Sequence, residues 1–328
     1  MQSSAPRDHG GDIGVAIARF GGTEQDWIDL STGINQQPYP LPPVPPAAWH
    51  RLPTRGAKDQ LVAAARVAYA SEAPLVPLAG AQAAIQLIPR LRPAGKAAVL
   101  GPTYNEHAAA LRSQGWQVHE VSRLEALRGA DLAVLVNPNN PDGCVHSQHD
   151  LAALSREVGL LVVDESFADP TPALSIAPQA GDGPLVVLRS FGKFYGLAGV
   201  RLGFALGPAD LIRDLGELAG PWAVSGPALT VGAIALRDAA WTAATRTRLA
   251  ADAERLDSLA THARWKLVGG TPLFRLYDAE DAIAAQERLA KRHVWSRVFP
   301  WSPRLVRLGI PAGDAHWQRV QQAFRAGN

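Results

Sequence analysis

The sequence is short of cysteine, of lysine and of long apolar runs, and each shortage closes off a class of function. A single cysteine, Cys144, rules out an intrachain disulfide and a cysteine-rich metal site, so no metal is expected. Although 47% of the residues are hydrophobic, no apolar run reaches the roughly 18 residues that a membrane-spanning helix requires. The first residues, MQSSAPRDHGGD, lack the basic-then-apolar pattern of a secretion signal, which makes the cytoplasm the expected compartment. Charge of either sign is not in excess: 32 Lys plus Arg stand against 30 Asp plus Glu. With no long basic run and no basic patch interleaved with aromatics, a dedicated nucleic-acid binder is excluded. Only five lysines occur, Lys58, Lys96, Lys193, Lys266 and Lys291. Arginine carries most of the positive charge, so a lysine in an unusual setting is a candidate for chemistry that a guanidinium cannot perform.

What is present is an alternating pattern. The 328 residues suffice for a large domain and a smaller one. An N-terminal arm, residues 1–46, ends in the proline cluster PYPLPPVPP, which favours an extended connection. From 47 to 219, helix-like segments (57–69, 81–91 and 105–114) alternate with short apolar runs at 97–100, 132–136, 160–163 and 185–188. This is the signature of an α/β domain with a mostly parallel sheet covered on both faces. A break at GPWAVSGPA (220–228) opens a smaller α/β domain, 220–328, with which the arm is expected to pack. Its expected elements are a long helix over about 227–264, a strand over 266–276, a helix over 281–293, a strand over 305–310 and a final helix from Asp314.

The polar motifs sit at the carboxyl ends of the apolar runs. Ala97–Leu100 leads into Gly101-Pro102-Thr103-Tyr104, and Leu132–Val136 into Asn137-Pro138-Asn139-Asn140-Pro141. Leu160–Val163 leads into Asp164-Glu165-Ser166-Phe167, and Leu185–Leu188 into Arg189-Ser190-Phe191-Gly192-Lys193. Ligands of open parallel sheets bind beyond the carboxyl ends of the strands. Four strands therefore deliver a ring, an amide, a carboxylate and a lysine to one edge.

In their order, GAQAAI, PTYNEH, NPNNPDG, VVDESF and SFGKFYGLAGVRLGF resemble the aminotransferase class I/II group of fold-type-I enzymes, which use pyridoxal 5′-phosphate (PLP). The resemblance covers most of residues 80–206. It implies a mostly parallel seven-stranded sheet between helices, a smaller α/β domain and a homodimer. It assigns to Lys193 the covalent link to the cofactor, which a primary amine can form and a guanidinium cannot. It assigns to Asp164 the pairing with the pyridine nitrogen, because an adjacent carboxylate favours the protonated ring. Tyr104 is expected to stack on the ring and Asn140 to reach its phenolic oxygen. The phosphate falls to the backbone of Ala81 and Gln82, where Gly80 opens a helix whose dipole favours an anion. Ser190 and Arg201 complete that cradle.

Two positions depart from the transaminase pattern. Phe167 stands where many of these enzymes have a tyrosine, three residues after the aspartate. Arg51-Leu52-Pro53 stands where histidinol-phosphate aminotransferases commonly have Arg-Tyr-Pro. His9-Gly10-Gly11-Asp12, DLSTGINQQPYP (29–40) and LAGAQAAIQLIPRLRP (78–93) are instead similar to the L-threonine-O-3-phosphate decarboxylases of cobalamin biosynthesis. That branch implies a phosphorylated amino-acid substrate with two anionic groups, for which Arg307, Arg297 and His9 are the candidate anchors. A transferase such as histidinol-phosphate aminotransferase is the alternative, since one fold hosts several chemistries.

Overall fold

The computed structural model describes residues 9–325. The chain forms two compact units. One comprises residues 38–246, and the other comprises 247–328 with the residues up to Gln37. Strands are numbered in chain order. β1 (Ile28–Asp29) belongs to the unit containing the chain ends. The middle unit holds β2 (Leu75–Leu78), β3 (Lys96–Leu100), β4 (Gln117–Val121), β5 (Leu132–Val136), β6 (Leu161–Asp164), β7 (Leu185–Ser190) and β8 (Gly203–Leu206). The remaining strands are β9 (Lys266–Thr271), β10 (Phe274–Asp278), β11 (Val294–Trp295), β12 (Arg297–Phe299) and β13 (Ser302–Gly309).

The middle unit is built on a seven-stranded sheet in the order β2-β8-β7-β6-β5-β3-β4. β8 runs antiparallel to both its neighbours, and the other pairs are parallel. The central strands are buried along nearly their whole length, as their unbroken runs of Leu, Val and Ala demand. The helices Ala81–Leu87 and Glu106–Ser113 lay Ala84, Ile85, Ala108 and Leu111 on this sheet. The four site strands end at one edge, as expected from their motifs.

Under that edge lies a buried ion cluster. Arg189 on β7 donates to Glu165 at 2.8 Å and to Asp169, and its guanidinium covers the Tyr69 ring at 4.4 Å. Ser175 Oγ and the Ile176 amide also donate to the Glu165 carboxylate, so both its oxygens have partners. Burial pushes the Glu165 carboxyl up, and the Arg189 charge opposes that shift. This cluster ties β6 to β7 one residue beyond Asp164 and one residue before Ser190.

In the other unit, β12-β13-β10-β9 make a four-stranded antiparallel sheet, and β1 pairs in parallel with β11. Helices Ala282–Ala290 and Gly313–Arg325 bury Leu289, Trp317, Val320 and Phe324. The arm is more structured than its polar composition suggests. Asp12 caps a helix, Ile13–Phe20, by accepting from the Gly14 amide, and that helix packs near Trp27 and Trp295.

Some expected elements differ from those observed. The single helix expected over 227–264 is two, Gly226–Ala235 and Ala239–His262, because Asp238 turns the chain and accepts from the Trp241 amide. The strand expected over 266–276 is the β9–β10 hairpin, in which Gly270 adopts φ 146° against the Phe274 backbone. Residues 220–246 cluster with the middle unit rather than with the C-terminal one, and the arm's unit ends at Gln37 rather than at 46. The reason is packing: Gly226 lies against the Ala48 carbonyl, and Gly232 against Leu202 and Leu61.

Removing one partner from a buried ion cluster strands the others. Arg189→Met is therefore expected to lower the unfolding free energy by about 3–5 kcal/mol, read as a fall in the urea midpoint at unchanged slope.

Candidate active site

Asp164 is the last residue of β6 and is 3% exposed. Its backbone is fixed on both sides: Asn137 N–H donates to its carbonyl, and the next amide, Glu165 N–H, donates to Leu188. The carboxylate meets His107 Nε2 at 2.9 Å through Oδ2 and accepts from the amide and hydroxyl of Ser166 through Oδ1. Burial pushes this carboxyl up, but the bond and charge of His107 and the two Ser166 donors outweigh burial and hold it below the usual carboxylate range. A buried anion is thus ready to stabilise a cation that comes against it.

Lys193 follows β7 in the short helix Phe191–Phe194. Gly192 is needed there, since a Cβ would lie 2.7 Å from the Ala198 Cα where the chain folds back. Phe191 stacks on Tyr195 (4.5 Å) and Tyr195 on Trp241 (5.4 Å), which stiffens the turn. Lys193 is half-buried, and its Nζ lies 5.6 Å from the centroid of the Phe167 ring.

The anion cradle is assembled by close backbone approach. Ser190 at the end of β7 is the register partner of Gly203. A Cβ on Gly203 would collide with the Ala81 amide, so only glycine lets the helix start settle here. Gly80, at φ 83°, carries no side chain to cap the helix, and its absent Cβ would lie 2.8 Å from an Arg201 guanidinium nitrogen. Ser190, Ala81, Gly80 and the Arg201 guanidinium are therefore one contiguous patch. Gln82, expected at the phosphate through its backbone, also uses its side chain: it accepts from the Tyr104 hydroxyl (3.1 Å) and donates to the buried Glu106 (3.1 Å). Tyr104 lies edge-on to His107 with centroids 6.1 Å apart, and Asn140 is half-buried in the loop after β5.

Among the residues passed over by the sequence reading, His107 matters most. It stands three positions after Tyr104 and is buried in the first turn of a helix, and a histidine three and four positions before Ala110 and Leu111 was the available signal. Asn139 is another: it accepts from Thr103 Oγ1 (2.6 Å) and donates to the Pro102 carbonyl (3.0 Å), bracing the Tyr104 loop against the Asn140 loop. Leu52, where a tyrosine was looked for, is 64% exposed and has no polar side-chain atom to offer a phosphate.

In the unit with the chain ends, Arg297 and Arg307 are direct register partners on β12 and β13. Arg307 is 6% exposed, lies 5.2 Å from the Phe274 centroid and donates to the Ser31 carbonyl at 2.6 Å. Burial, with Arg297 beside it and Asp29 opposing, pulls its guanidinium down to about 9. Like charges placed opposite each other in a ladder are unfavourable alone and gain from an anionic ligand. His9 is exposed.

A half-buried lysine, an ionised buried carboxylate, an aromatic ring and an anion cradle at a strand-edge helix start are the parts that a fold-type-I site offers PLP. The patch around Gly80, closed to any side chain but open to an anion, fits the cofactor phosphate. The chain belongs to the aminotransferase class I and II family, whose model matches residues 51–318. It is 42% identical over 332 residues to a threonine-phosphate decarboxylase of Sinorhizobium sp, covering 98% of each chain. It is 45% identical over 325 residues to that of Pseudomonas aeruginosa, covering 97% of each. The fold is also that of histidinol-phosphate aminotransferase from Sinorhizobium meliloti, solved with pyridoxal-5′-phosphate, at a TM-score of 0.80 and 18% identity over 99% of this chain and 98% of that one.

The balance at Asp164 predicts a pH effect. With His107→Phe the largest lowering influence is gone and burial is left opposed by Ser166 alone, so the Asp164 pKa rises. The acid limb of activity, and of the cofactor's absorbance, is expected to move to higher pH. An unmoved limb in this variant would assign it to another group.

Proposed function

We propose that the chain is a PLP-dependent carboxy-lyase that converts L-threonine O-3-phosphate to 1-aminopropan-2-ol O-phosphate and CO₂, a step of cobalamin biosynthesis. The observation that carries this reading is end-to-end likeness to two threonine-phosphate decarboxylases at 42% and 45% identity. By contrast, a histidinol-phosphate aminotransferase of Mycobacterium bovis is 33% identical over only 67% of this chain. Phe167 and Leu52, which lack the hydroxyls of the transaminase pattern, support the same choice.

Each residue then has a task. Lys193 carries the cofactor, and Asp164, oriented by His107 and Ser166, pairs with its ring nitrogen. Tyr104 stacks on the ring, Asn140 reaches its phenolic oxygen, and Ala81, Gln82, Ser190 and Arg201 hold its phosphate. PLP supplies an electron sink for the pair left when a bond to the substrate α-carbon breaks. The protein decides which bond that is. Arg307, Arg297 and His9 hold the two anionic ends of the substrate, and by fixing the phosphate they leave the carboxylate placed to depart. As CO₂ leaves, the α-carbon must take up a proton; Lys193, freed from the cofactor when the substrate amine displaces it and protonated by that amine, would be the donor within this set. The decarboxylase is taken to be a cytoplasmic homodimer; no helix among the described residues is long and apolar enough to cross a membrane.

Holoenzyme given L-phosphothreonine without any keto acid is expected to release CO₂ and the amine in equal amounts. Lys193→Ala should lose roughly 10²–10⁴-fold in rate and lose the borohydride-fixed label on the protein. Conversion of 2-oxoglutarate to glutamate with no CO₂ would make the chain a transferase instead.

A further inference from the structure

His9-Gly10-Gly11 and Arg307 are far apart in sequence, yet one residue touches both the glycine turn and the arginine. Ser31 is 1% exposed and follows β1, which is held by β11: Ile28 and Leu30 amides donate to the His293 and Trp295 carbonyls at 2.8 Å each. The end of β13 presses on the same segment, since Gly309 N–H donates to the Leu30 carbonyl (2.7 Å) and a Cβ on Gly309 would collide with the Thr32 carbonyl. So anchored, Ser31 uses every polar atom it shows. Its hydroxyl donates to Asp29 Oδ1 (2.6 Å) and accepts from the Gly11 amide (2.8 Å). Its own amide also donates to Asp29 Oδ1 (2.8 Å), which fixes the direction of the hydroxyl. Its carbonyl accepts from Arg307 Nη2 (2.6 Å). That same carbonyl lies 2.5 Å from where a Gly10 Cβ would be, and Gly11 holds φ 96°, so the turn that seats here must be glycine at both positions.

We propose that Ser31 is a specificity-determining positioning residue. It clamps the Gly10-Gly11 turn and the Arg307 guanidinium to one carbonyl and one hydroxyl, so that His9 and Arg307 meet a phosphorylated amino acid as a unit. His9 is one residue from the glycine that abuts the carbonyl held by Arg307, about 3.8 Å along the chain. The inference rests on the decarboxylase reading for the identity of the substrate, while the clamp stands on the geometry alone. Glycine at 10 is then required for close approach and glycine at 11 for its positive φ. The hydroxyl of Ser31 matters although it touches no reacting atom.

The test compares Ser31→Ala, Gly10→Ala and the double variant as holoenzymes. Loss of a charge-linked hydrogen bond predicts a roughly 10-fold rise in KM for L-phosphothreonine, with kcat, cofactor content and the bound-cofactor spectrum near wild type. The double variant should be no worse than Gly10→Ala, because both changes release the same turn. A fall in kcat at constant KM, additive losses, or a loss of cofactor in step with activity would overturn the proposal. If wild-type holoenzyme releases no CO₂, the decarboxylase reading fails by itself. The clamp is then read from calorimetric binding of L-phosphothreonine. Equal weakening in both single variants upholds it, and binding unchanged in the variants or absent from the wild type ends it.

Discussion

A carboxylate kept ionised inside a protein is the constraint on which the middle unit turns. Asp164 sits where burial alone would neutralise it, and a single pKa unit is worth about 1.4 kcal/mol between the two protonation states. Three donors from two residues reverse the sign of that environment, and each must be delivered to a fixed point. His107 comes from a helix 57 positions earlier in the chain, held by Ala108 and Leu111 against the sheet. Ser166 comes from the turn that directly follows the strand. Neither would stay in place if β6 could slide, and the register is locked by the pairing on both sides and by the Glu165–Arg189–Asp169 cluster beneath. The core therefore supports a charge as well as burying apolar surface.

The two units offer an anion different surroundings. Around Gly80 and Gly203 the middle unit removes side chains until backbone N–H groups and one guanidinium stand together, a cradle of dipoles that costs little to bury. The unit with the chain ends instead sets Arg297 opposite Arg307 and buries the second of them. Like charges set opposite each other in a ladder repel, and on the proposed function an anionic substrate would relieve that repulsion. Asp29, which also accepts from the Ser31 hydroxyl, opposes the repulsion at Arg307.

What could be read from the sequence was what is local. The strands at 97–100, 132–136, 160–163 and 185–188 announce themselves as apolar runs, and the polar residues at their ends are adjacent in the chain to the elements that place them. Lys193, Asp164, Tyr104 and Arg201 became candidates for that reason. Residues that act through long-range partners were not. His107 reads as one of several polar residues on a short mixed helix, and Arg189 as a charge closing a strand, until the fold brings Asp164 and Glu165 to them. The break at Leu236–Asp238 was missed because no glycine or proline marks it; the backbone turns there and Asp238 accepts from the Trp241 amide. The β9–β10 hairpin was read as one strand because the turn signal in Gly269-Gly270-Thr271-Pro272 was passed over.

Phe167 shows how a shared cofactor site can be turned to a different reaction without rebuilding it. A tyrosine at that position would present a hydroxyl; Phe167 presents its ring to Lys193 Nζ, a contact worth about 0.5–2 kcal/mol with no directional bond. The lysine is steered by packing, and the phenylalanine side chain competes for no polar group of the bound ring. Ring, carboxylate and phosphate cradle are then indifferent to which α-carbon bond breaks. On the proposed chemistry the choice passes to whatever fixes the far end of the substrate. That end is an anion, and the residues proposed to hold it are Arg297, Arg307 and His9. Selectivity between reactions is in this way separated from the machinery that makes any of them possible.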